Sequence, residues 1–390
     1  KFVYLDMEEY RDLSITVDTF IQTLDRPGLK DAAAGIALQA YLPDSVAVQQ
    51  RITEWAKKRV AAGGAPVTIR IVKGANMEME RVEACLHGWE QAPFADKPDT
   101  DACYKVMVEY GLRPENAAAV HIGVASHNLF DLSYALVLAA ERNVGDYVQF
   151  EMLEGMANHQ RRALSEFASN ILLYAPATHQ EDFVNAIGYL IRRLDENTGE
   201  DNFLRHTFKL EVGTEEWDRL EQGFFDSYRR IETLKLGPRR TQNRLIPPLK
   251  PAVPCTVATF DNEADTDFTS PENFGWGEAI IARWKGRHSE NALQIPLCIA
   301  GTAVTEERTI KACFDPSRPN VMVAQYPQAN IGDIDRALAC AATDPTGWRA
   351  MADSERSEIL HRVAHGIRTH RDDLMGAALA DGGKLLTESD

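Results

Sequence analysis

Short apolar runs alternate with amphipathic stretches through the first half of the chain. Phe2-Val-Tyr-Leu-Asp6 leads into a helical pattern from about Glu8 to Leu24, and Gly35-Ile-Ala-Leu-Gln39 into one from about Ser45 to Ala61. Val67-Thr-Ile-Arg-Ile-Val72 is rich in β-branched residues and predicts the strongest strand. Helical patterns from about Met77 to Trp89 and from Thr100 to Tyr110 follow it. Ala118-Ala-Val-His-Ile122 with a helix over 129–142, and Tyr147-Val-Gln-Phe-Glu151 with a helix near 159–167, repeat the unit. The sixth unit is Ile171-Leu-Leu-Tyr174 and a helix opened by the capping-box pattern Thr178-His-Gln-Glu181. On that helix Phe183, Ile187, Leu190 and Leu194 form an apolar stripe, while Tyr189, Arg192, Arg193 and Glu196 share the opposite face.

Strands and helices alternating at this spacing predict an α/β fold with a parallel sheet and right-handed crossovers. No Gly-x-Gly-x-x-Gly follows a strand, which argues against an open dinucleotide-binding sheet. Six units fit the last six of a (β/α)8 TIM-like barrel. Asp6, Gln39, Arg70 with Lys73, His127, Glu151 and Tyr174 all fall at or just past the C-terminal ends of the expected strands. Any one of them alone reads as a cap or turn residue, but in a barrel these ends form the rim on which active sites are built. Arg70 alternates with Ile69 and Ile71, so its side chain faces the other side of the strand and needs an acidic or anionic partner. Lys73-Gly74-Ala75, between a strand and a helix, suits an anion cradle, and Ser126-His127-Asn128 offers a second donor-rich turn. Two adjacent guanidinium forks at Arg192 and Arg193 suit a carboxylate, with Glu196 one turn on to brace them.

With 390 residues, 44% hydrophobic and 26% charged, the composition is that of a globular protein of two or three domains. A formal net charge of −16 gives a nucleic-acid role no electrostatic support. No apolar run approaches a membrane span of ~20 residues, and no secretory leader opens the chain. The six cysteines, at 85, 103, 255, 298, 313 and 340, show neither zinc-ligand spacing nor a disulfide framework and suit a reducing cytoplasm. No metal site is expected. Because the chain starts within a strand-like run and stops within a helical pattern, we read it as an interior segment of a longer protein.

The blocks Leu5-Asp6-Met-Glu-Glu, Leu38-Gln39-Ala-Tyr, Ile69-Arg70-Ile-Val-Lys73-Gly74-Ala75, Ser126-His127-Asn128, Tyr174-Ala-Pro-Ala-Thr-His and Tyr189-Leu-Ile-Arg-Arg-Leu-Asp-Glu-Asn occur in one order over residues 1–205. Together they closely resemble the flavin-dependent proline dehydrogenase barrel of the bifunctional bacterial proline utilization A family. The resemblance implies FAD held non-covalently, L-proline as substrate, pyrroline-5-carboxylate as product and a quinone as electron acceptor. It implies that Arg192 and Arg193 bind the proline carboxylate, that Tyr174, Tyr189 and Leu153 shape the pocket, and that Asp6 supports the network beside the arginines. Arg70 would lie near the flavin N5. Gln39, Val72, Lys73, Gly74, Ala75, Lys97, Ser126, His127 and Asn128 would hold the rest of the cofactor, with Glu196 near the ribose or the arginines. Asn76-Met77 departs from the Tyr-Trp of many bifunctional relatives, and the family's substrate-side lysine belongs upstream of Lys1. Quinone use implies visits to the membrane surface by a cytoplasmic enzyme, although no basic or amphipathic anchor is evident. A homo-oligomer is expected.

From about Leu210 the pattern changes. Residues 206–254 hold a helical stretch over 215–234 and a proline-rich linker, Leu245-Ile-Pro-Pro-Leu-Lys-Pro-Ala-Val-Pro. Beyond it, Phe268-Thr-Ser-Pro-Glu-Asn, Ile331-Gly-Asp-Ile-Asp-Arg-Ala-Leu with Trp348, and a helix over 355–368 leading to Gly383-Lys384 resemble the N-terminal part of an aldehyde dehydrogenase. That likeness, over 255–390, implies NAD-dependent oxidation of glutamate semialdehyde on residues beyond Asp390. An unrelated phosphate-binding barrel lyase using Lys73, or a non-catalytic scaffold of the same fold, are the competing readings.

Overall fold

A computed structural model describes residues 1–196, 198–199, 202–207, 210–249, 258, 260–305 and 307–390, without the side chains of residues 192, 195 and 196. It forms two compact units, 1–240 and 241–390.

The first unit is a parallel sheet of six strands in sequence order: β1 (Val3–Leu5), β2 (Ala34–Gln39), β3 (Val67–Val72), β4 (Val120–Ala125), β5 (Val148–Leu153) and β6 (Ile171–Tyr174). Between them run α1 (Leu13–Leu24), α2 (Ser45–Ala61), α3 (Met77–His87), α4 (Lys97–Gly111), the short α5 (Pro114–Ala117), α6 (Leu129–Glu141) and α7 (Asn158–Leu164). After β6 come α8 (Phe183–Glu196), α9 (Phe203–His206) and α10 (Glu215–Arg230). Ile36, Leu38, Ile69, Ile71, Ile122 and Val124 are buried, as expected for parallel strands, and pack with Ile52, Met107 and Leu112 of the helical layer and its ends.

Three local expectations shift. Pro114 starts the short α5, which absorbs the residues before Ala118 and moves the fourth strand from 118–122 to 120–125. The fourth helix begins at Lys97, because Pro98 fits the first turn. The Thr178–Glu181 capping box does not open α8. A 3-10 turn, Gln180–Asp182, stands before it with His179 at its N-cap and no side-chain capping bond.

The sheet is strongly curled. Tyr4 on β1 donates its phenol to Glu151 Oε1 on β5 at 2.6 Å, although four strand spacings of ~4.8 Å would separate those strands in a flat sheet. Two glycines make room. A Cβ on Gly35 would stand 2.3 Å from the Tyr4 ring, and one on Gly123 would stand 2.2 Å from Glu151 Oε1. The arrangement is half of a barrel, with the apolar stripe of α8 (Phe183, Ile187, Leu190, Leu194) exposed and its Tyr189–Arg193 face turned to the rim.

In the second unit, β10 (Ile310–Phe314), β11 (Met322–Pro327) and β7 (Leu293–Gln294) form one sheet, and β8 (Leu297–Ile299) with β9 (Thr302–Val304) a second. Helices α11 (Pro271–Lys285) and α14 (Arg371–Gly382) bury Trp276, Ile280, Trp284, Met375 and Ala380 against Val323 of β11. Asn330 and Asp333 make a reciprocal capping box at the start of α12 (Ile331–Thr343), and α13 (Asp353–Thr369) contains the expected 355–368 helix. Residues 250–254 of the proline-rich stretch and Cys255 lie outside the described residues. The other five cysteines are free thiols, and no group of three metal-ligating side chains occurs among the described residues.

One buried cation ties the entry to β2. Arg59, on α2, donates to the carbonyls of Leu24, Leu29, Lys30 and Ala65. Arg59→Met should therefore strand several buried carbonyls and lower the unfolding free energy by about 3 kcal/mol or more in urea titrations. Lys57→Met, whose partner Glu54 is exposed, should change it by less than about 0.5 kcal/mol.

Candidate active site

The C-terminal ends of the strands converge on a cavity of about 880 Å³. Asp6, Gln39, Arg70, Val72, Lys73, Gly74, Ala75, Lys97, Ser126, His127, Asn128, Leu153, Tyr174, Tyr189 and Arg193 all line it. The side chains of Arg192 and Glu196 lie outside the described residues.

One wall is a ladder of guanidinium groups and phenol rings. Arg193 lies over the Tyr189 ring at 5.1 Å, and Tyr189 meets Tyr174 with centroids 6.5 Å apart. Arg70 then sits between Tyr174 at 5.5 Å and Tyr4 at 5.2 Å. Asp6 Oδ1 accepts from an Arg70 NH2 group at 2.5 Å, and Glu151 Oε2 stands 3.8 Å from its Nε. The acidic partner that alternation demanded of Arg70 is thus a pair: an exposed aspartate and a buried glutamate.

The opposite wall is built on Lys73. Its Nζ reaches Asp101 Oδ1 at 2.5 Å and Asp131 Oδ2 at 2.7 Å, and Lys97 takes the other Asp101 oxygen at 2.6 Å. The two aspartates hold the Lys73 ammonium well above its ordinary range despite burial. Lys105 lies beneath, 1% exposed, donating to Ser227 Oγ of α10 at 2.8 Å with Asp131 Oδ1 at 3.5 Å. Burial there pushes its ammonium down. Beside them the backbone turns at Gly74, with φ +125° and a bare Cα against the Tyr41 ring, where a Cβ would come within 2.5 Å.

Gln39 is 3% exposed and donates its amide to the carbonyls of Met7 and Glu8, which pins the exit of β1. Asn128 caps α6 by accepting from Phe130 N, and Ser126 Oγ accepts from Asn128 N. His127 Nε2 accepts from Leu153 N at 3.1 Å, so the neutral ring carries its proton on Nδ1, which is buried without a partner among the described residues. Burial pushes the His127 pKa down to about 4.

A family model for proline dehydrogenase matches residues 1–206. The chain belongs to the proline dehydrogenase family. A second model, for the aldehyde dehydrogenase family, matches residues 303–390, so parts of two enzyme families are joined here. The bifunctional protein PutA of Escherichia coli K12 is 24% identical over 404 residues, covering 99% of this chain. The chain spans 28% of that relative's length. Among solved structures, proline utilization A from Corynebacterium freiburgense is 31% identical with a TM-score of 0.72, covering 99% of this chain and 32% of its own. The Bdellovibrio bacteriovorus protein, inactivated by N-propargylglycine, is 26% identical with a TM-score of 0.81, covering 100% and 37%. The half-barrel is therefore a proline dehydrogenase fold, and the aldehyde dehydrogenase match lies within the second unit.

Four further residues belong to this proline dehydrogenase cavity or its support: Tyr4, Asp101, Lys105 and Asp131. Asp101, Lys105 and Asp131 sit within amphipathic helical patterns, where a charge ordinarily faces water. Only Lys105 carried a hint, because Ala102 and Val108 share its helix face at i−3 and i+3. Tyr4 looked like an ordinary strand residue.

The His127 shift has a measurable consequence. A base whose pKa is depressed by folding contributes stability above its unfolded value of 6.5, and that contribution is lost as pH falls toward about 4. Between pH 7 and pH 5 the loss from this group should be roughly 2 kcal/mol. His127→Gln should flatten that part of the pH dependence of urea unfolding; an unchanged slope would show that the ring titrates freely.

Proposed function

We propose that the first unit catalyses FAD-dependent oxidation of L-proline to 1-pyrroline-5-carboxylate, with electrons passed on to a quinone. The single observation that carries this is the ladder Arg193–Tyr189–Tyr174–Arg70, which faces a glycine-turn cradle across one cavity. The residues present fit FAD. The cavity is large enough for an extended cofactor, Gly74 lets the backbone turn close to a ligand, and His127 Nδ1–H is a buried donor awaiting an acceptor. When bound, FAD would supply the two-electron oxidation by taking a hydride from the carbon beside the proline nitrogen.

The chain's own work is then binding, orientation and exclusion of water. Arg192 and Arg193 would hold the proline carboxylate, with Tyr174, Tyr189 and Leu153 closing over the ring. Arg70, braced by Asp6, would face the flavin N5. Gln39, Val72, Lys73, Gly74, Ala75, Lys97, Ser126, His127 and Asn128 would hold the isoalloxazine, phosphates and adenosine, with Glu196 at the ribose or the arginines. Since the Lys73 ammonium is turned to Asp101 and Asp131, its residue would serve the cradle mainly through backbone and position.

That pairing also weighs against a Schiff-base lyase. Such a lysine must be neutral to attack a carbonyl, and two aspartates hold Lys73 charged. The domain division we propose is a barrel over 1–205, a helical and linker segment over 206–254, and an aldehyde dehydrogenase-like part over 255–390. In the whole protein the latter would serve NAD-dependent oxidation of glutamate semialdehyde to glutamate. We place the enzyme in the cytoplasm as a homo-oligomer, with peripheral membrane visits for quinone; no helix among the described residues is long and apolar enough to cross a membrane.

In the full-length holoenzyme, Arg192→Met and Arg193→Met should each raise the KM for L-proline by about tenfold to a hundredfold while leaving FAD bound, as loss of a charge-assisted bond to a carboxylate requires. An unchanged KM in both variants refutes the carboxylate assignment, and protein that stays colourless with added FAD refutes the flavin.

A further inference from the structure

The fold builds one inward-facing contact that the roles above leave unused. Glu151, on β5, is 4% exposed and turns its carboxylate across the sheet to the Tyr4 phenol at 2.6 Å. Gly123, on the adjoining β4, leaves the space its carboxylate occupies, and Gly35, on β2, leaves the space for the Tyr4 ring. In register Tyr4 lies opposite Gly35, while Arg70 lies two residues further along, opposite Ala37 and Gly123. Because the strands are staggered and curled, the Tyr4–Glu151 pair still comes up against the Arg70 guanidinium, with the Tyr4 ring at 5.2 Å and Glu151 Oε2 at 3.8 Å.

Arg70 is held on four sides. Asp6 takes one NH2 group, the Tyr4 and Tyr174 rings lie 5.2 and 5.5 Å from its guanidinium carbon, and Glu151 Oε2 lies at 3.8 Å from the Nε edge. Asp6 and Tyr174 are both exposed, so water screens and loosens their hold. Glu151 is the buried member of the socket, with the half-buried Tyr4 against it. The titratable groups facing Glu151 are Tyr4 from β1, Asp6 past its end, Arg70 from β3 and Tyr104 from α4. Burial outweighs the help of Tyr4 and Arg70, so the carboxyl is pushed up from its ordinary range. A buried carboxylate kept at such a cost to folding, with two glycines cleared around it, is a device for aiming something.

We propose that Glu151 is a positioning residue for Arg70: anchored by the Tyr4 phenol and the gap at Gly123, its carboxylate fixes the guanidinium edge and so aims the group that addresses the reacting centre. This rests on the reading of Arg70 as the residue that faces the flavin. Glu151 also lines the cavity, but in this role it acts through Arg70, and no proton or electron passes through it.

The test compares the full-length holoenzyme with its Glu151→Gln and Gly123→Ala variants in a proline-dependent dye-reduction assay, together with thermal melting of the FAD-free proteins. Glutamine keeps the shape and can still accept from Tyr4 but removes the charge beside Arg70. Glu151→Gln should lower kcat by about tenfold or more, with the KM for L-proline within about threefold of wild type, since the carboxylate anchor is untouched. Its FAD-free melting temperature should equal or exceed wild type, because an uncomfortable buried charge is gone. Gly123→Ala, which must displace the Glu151 carboxylate, should show the same split between kcat and KM. A kcat for Glu151→Gln within about twofold of wild type overturns the inference, as does a kcat loss matched by a lowered melting temperature. A wild-type enzyme inactive with L-proline overturns the proline reading and this inference together; an active wild type with an unaffected Glu151→Gln overturns this inference alone.

Discussion

The curl of the parallel sheet is the constraint on which the rest of the molecule depends. Side chains at the ends of β1, β3, β5 and β6 share one cavity only because the strands bend round on each other, and the Tyr4–Glu151 hydrogen bond records that bend. Glycines at 35 and 123 permit it, since any side chain there would occupy the space of the ring or the carboxylate. With the sheet curled, Arg70 gains two phenol rings, and Arg193 on α8 continues the series over Tyr189.

A second theme is the pairing of buried charge. Lys73, Lys97, Lys105, Asp101 and Asp131 form a network in which each charge meets an opposite one, and Ser227 of α10 completes it. Unpaired, the fully buried Lys105 and Asp131 would each cost several kcal/mol. The same logic explains why α10 belongs to the first unit: it carries Ser227 and the Phe224 ring that lies 4.5 Å from Lys105 Nζ. The cradle at Lys73 is therefore supported from behind by residues up to Ser227, far beyond the strands that present it.

Much of this was legible in the sequence, for a physical reason. The unit of pattern is a strand followed by a helix, and in a parallel sheet every strand end lies on the same side, so polar residues such as Asp6, Gln39, Arg70 and Tyr174 declare a rim by position alone. What could not be read was which side chains meet across the rim. The Tyr4–Glu151 contact spans 147 residues and depends on the degree of curl, which no local periodicity encodes. Asp101 and Asp131 looked like solvated helix charges because their partner, Lys73, arrives from a neighbouring loop. The Thr178–Glu181 pattern does not mark the start of α8, because a 3-10 turn at Gln180–Asp182 takes up those residues first.

Two walls of opposite character, one of arginines and aromatic rings, the other a glycine turn over a neutralised charge network, enclose the cavity that we propose takes a flavin with a small zwitterion against it. The most direct measurement is an anaerobic titration of the full-length, FAD-loaded protein with L-proline, following the visible absorbance of oxidised flavin. Stoichiometric bleaching, with formation of 1-pyrroline-5-carboxylate, is the expected result. A flavin that stays oxidised in excess L-proline would contradict the assignment of this cavity.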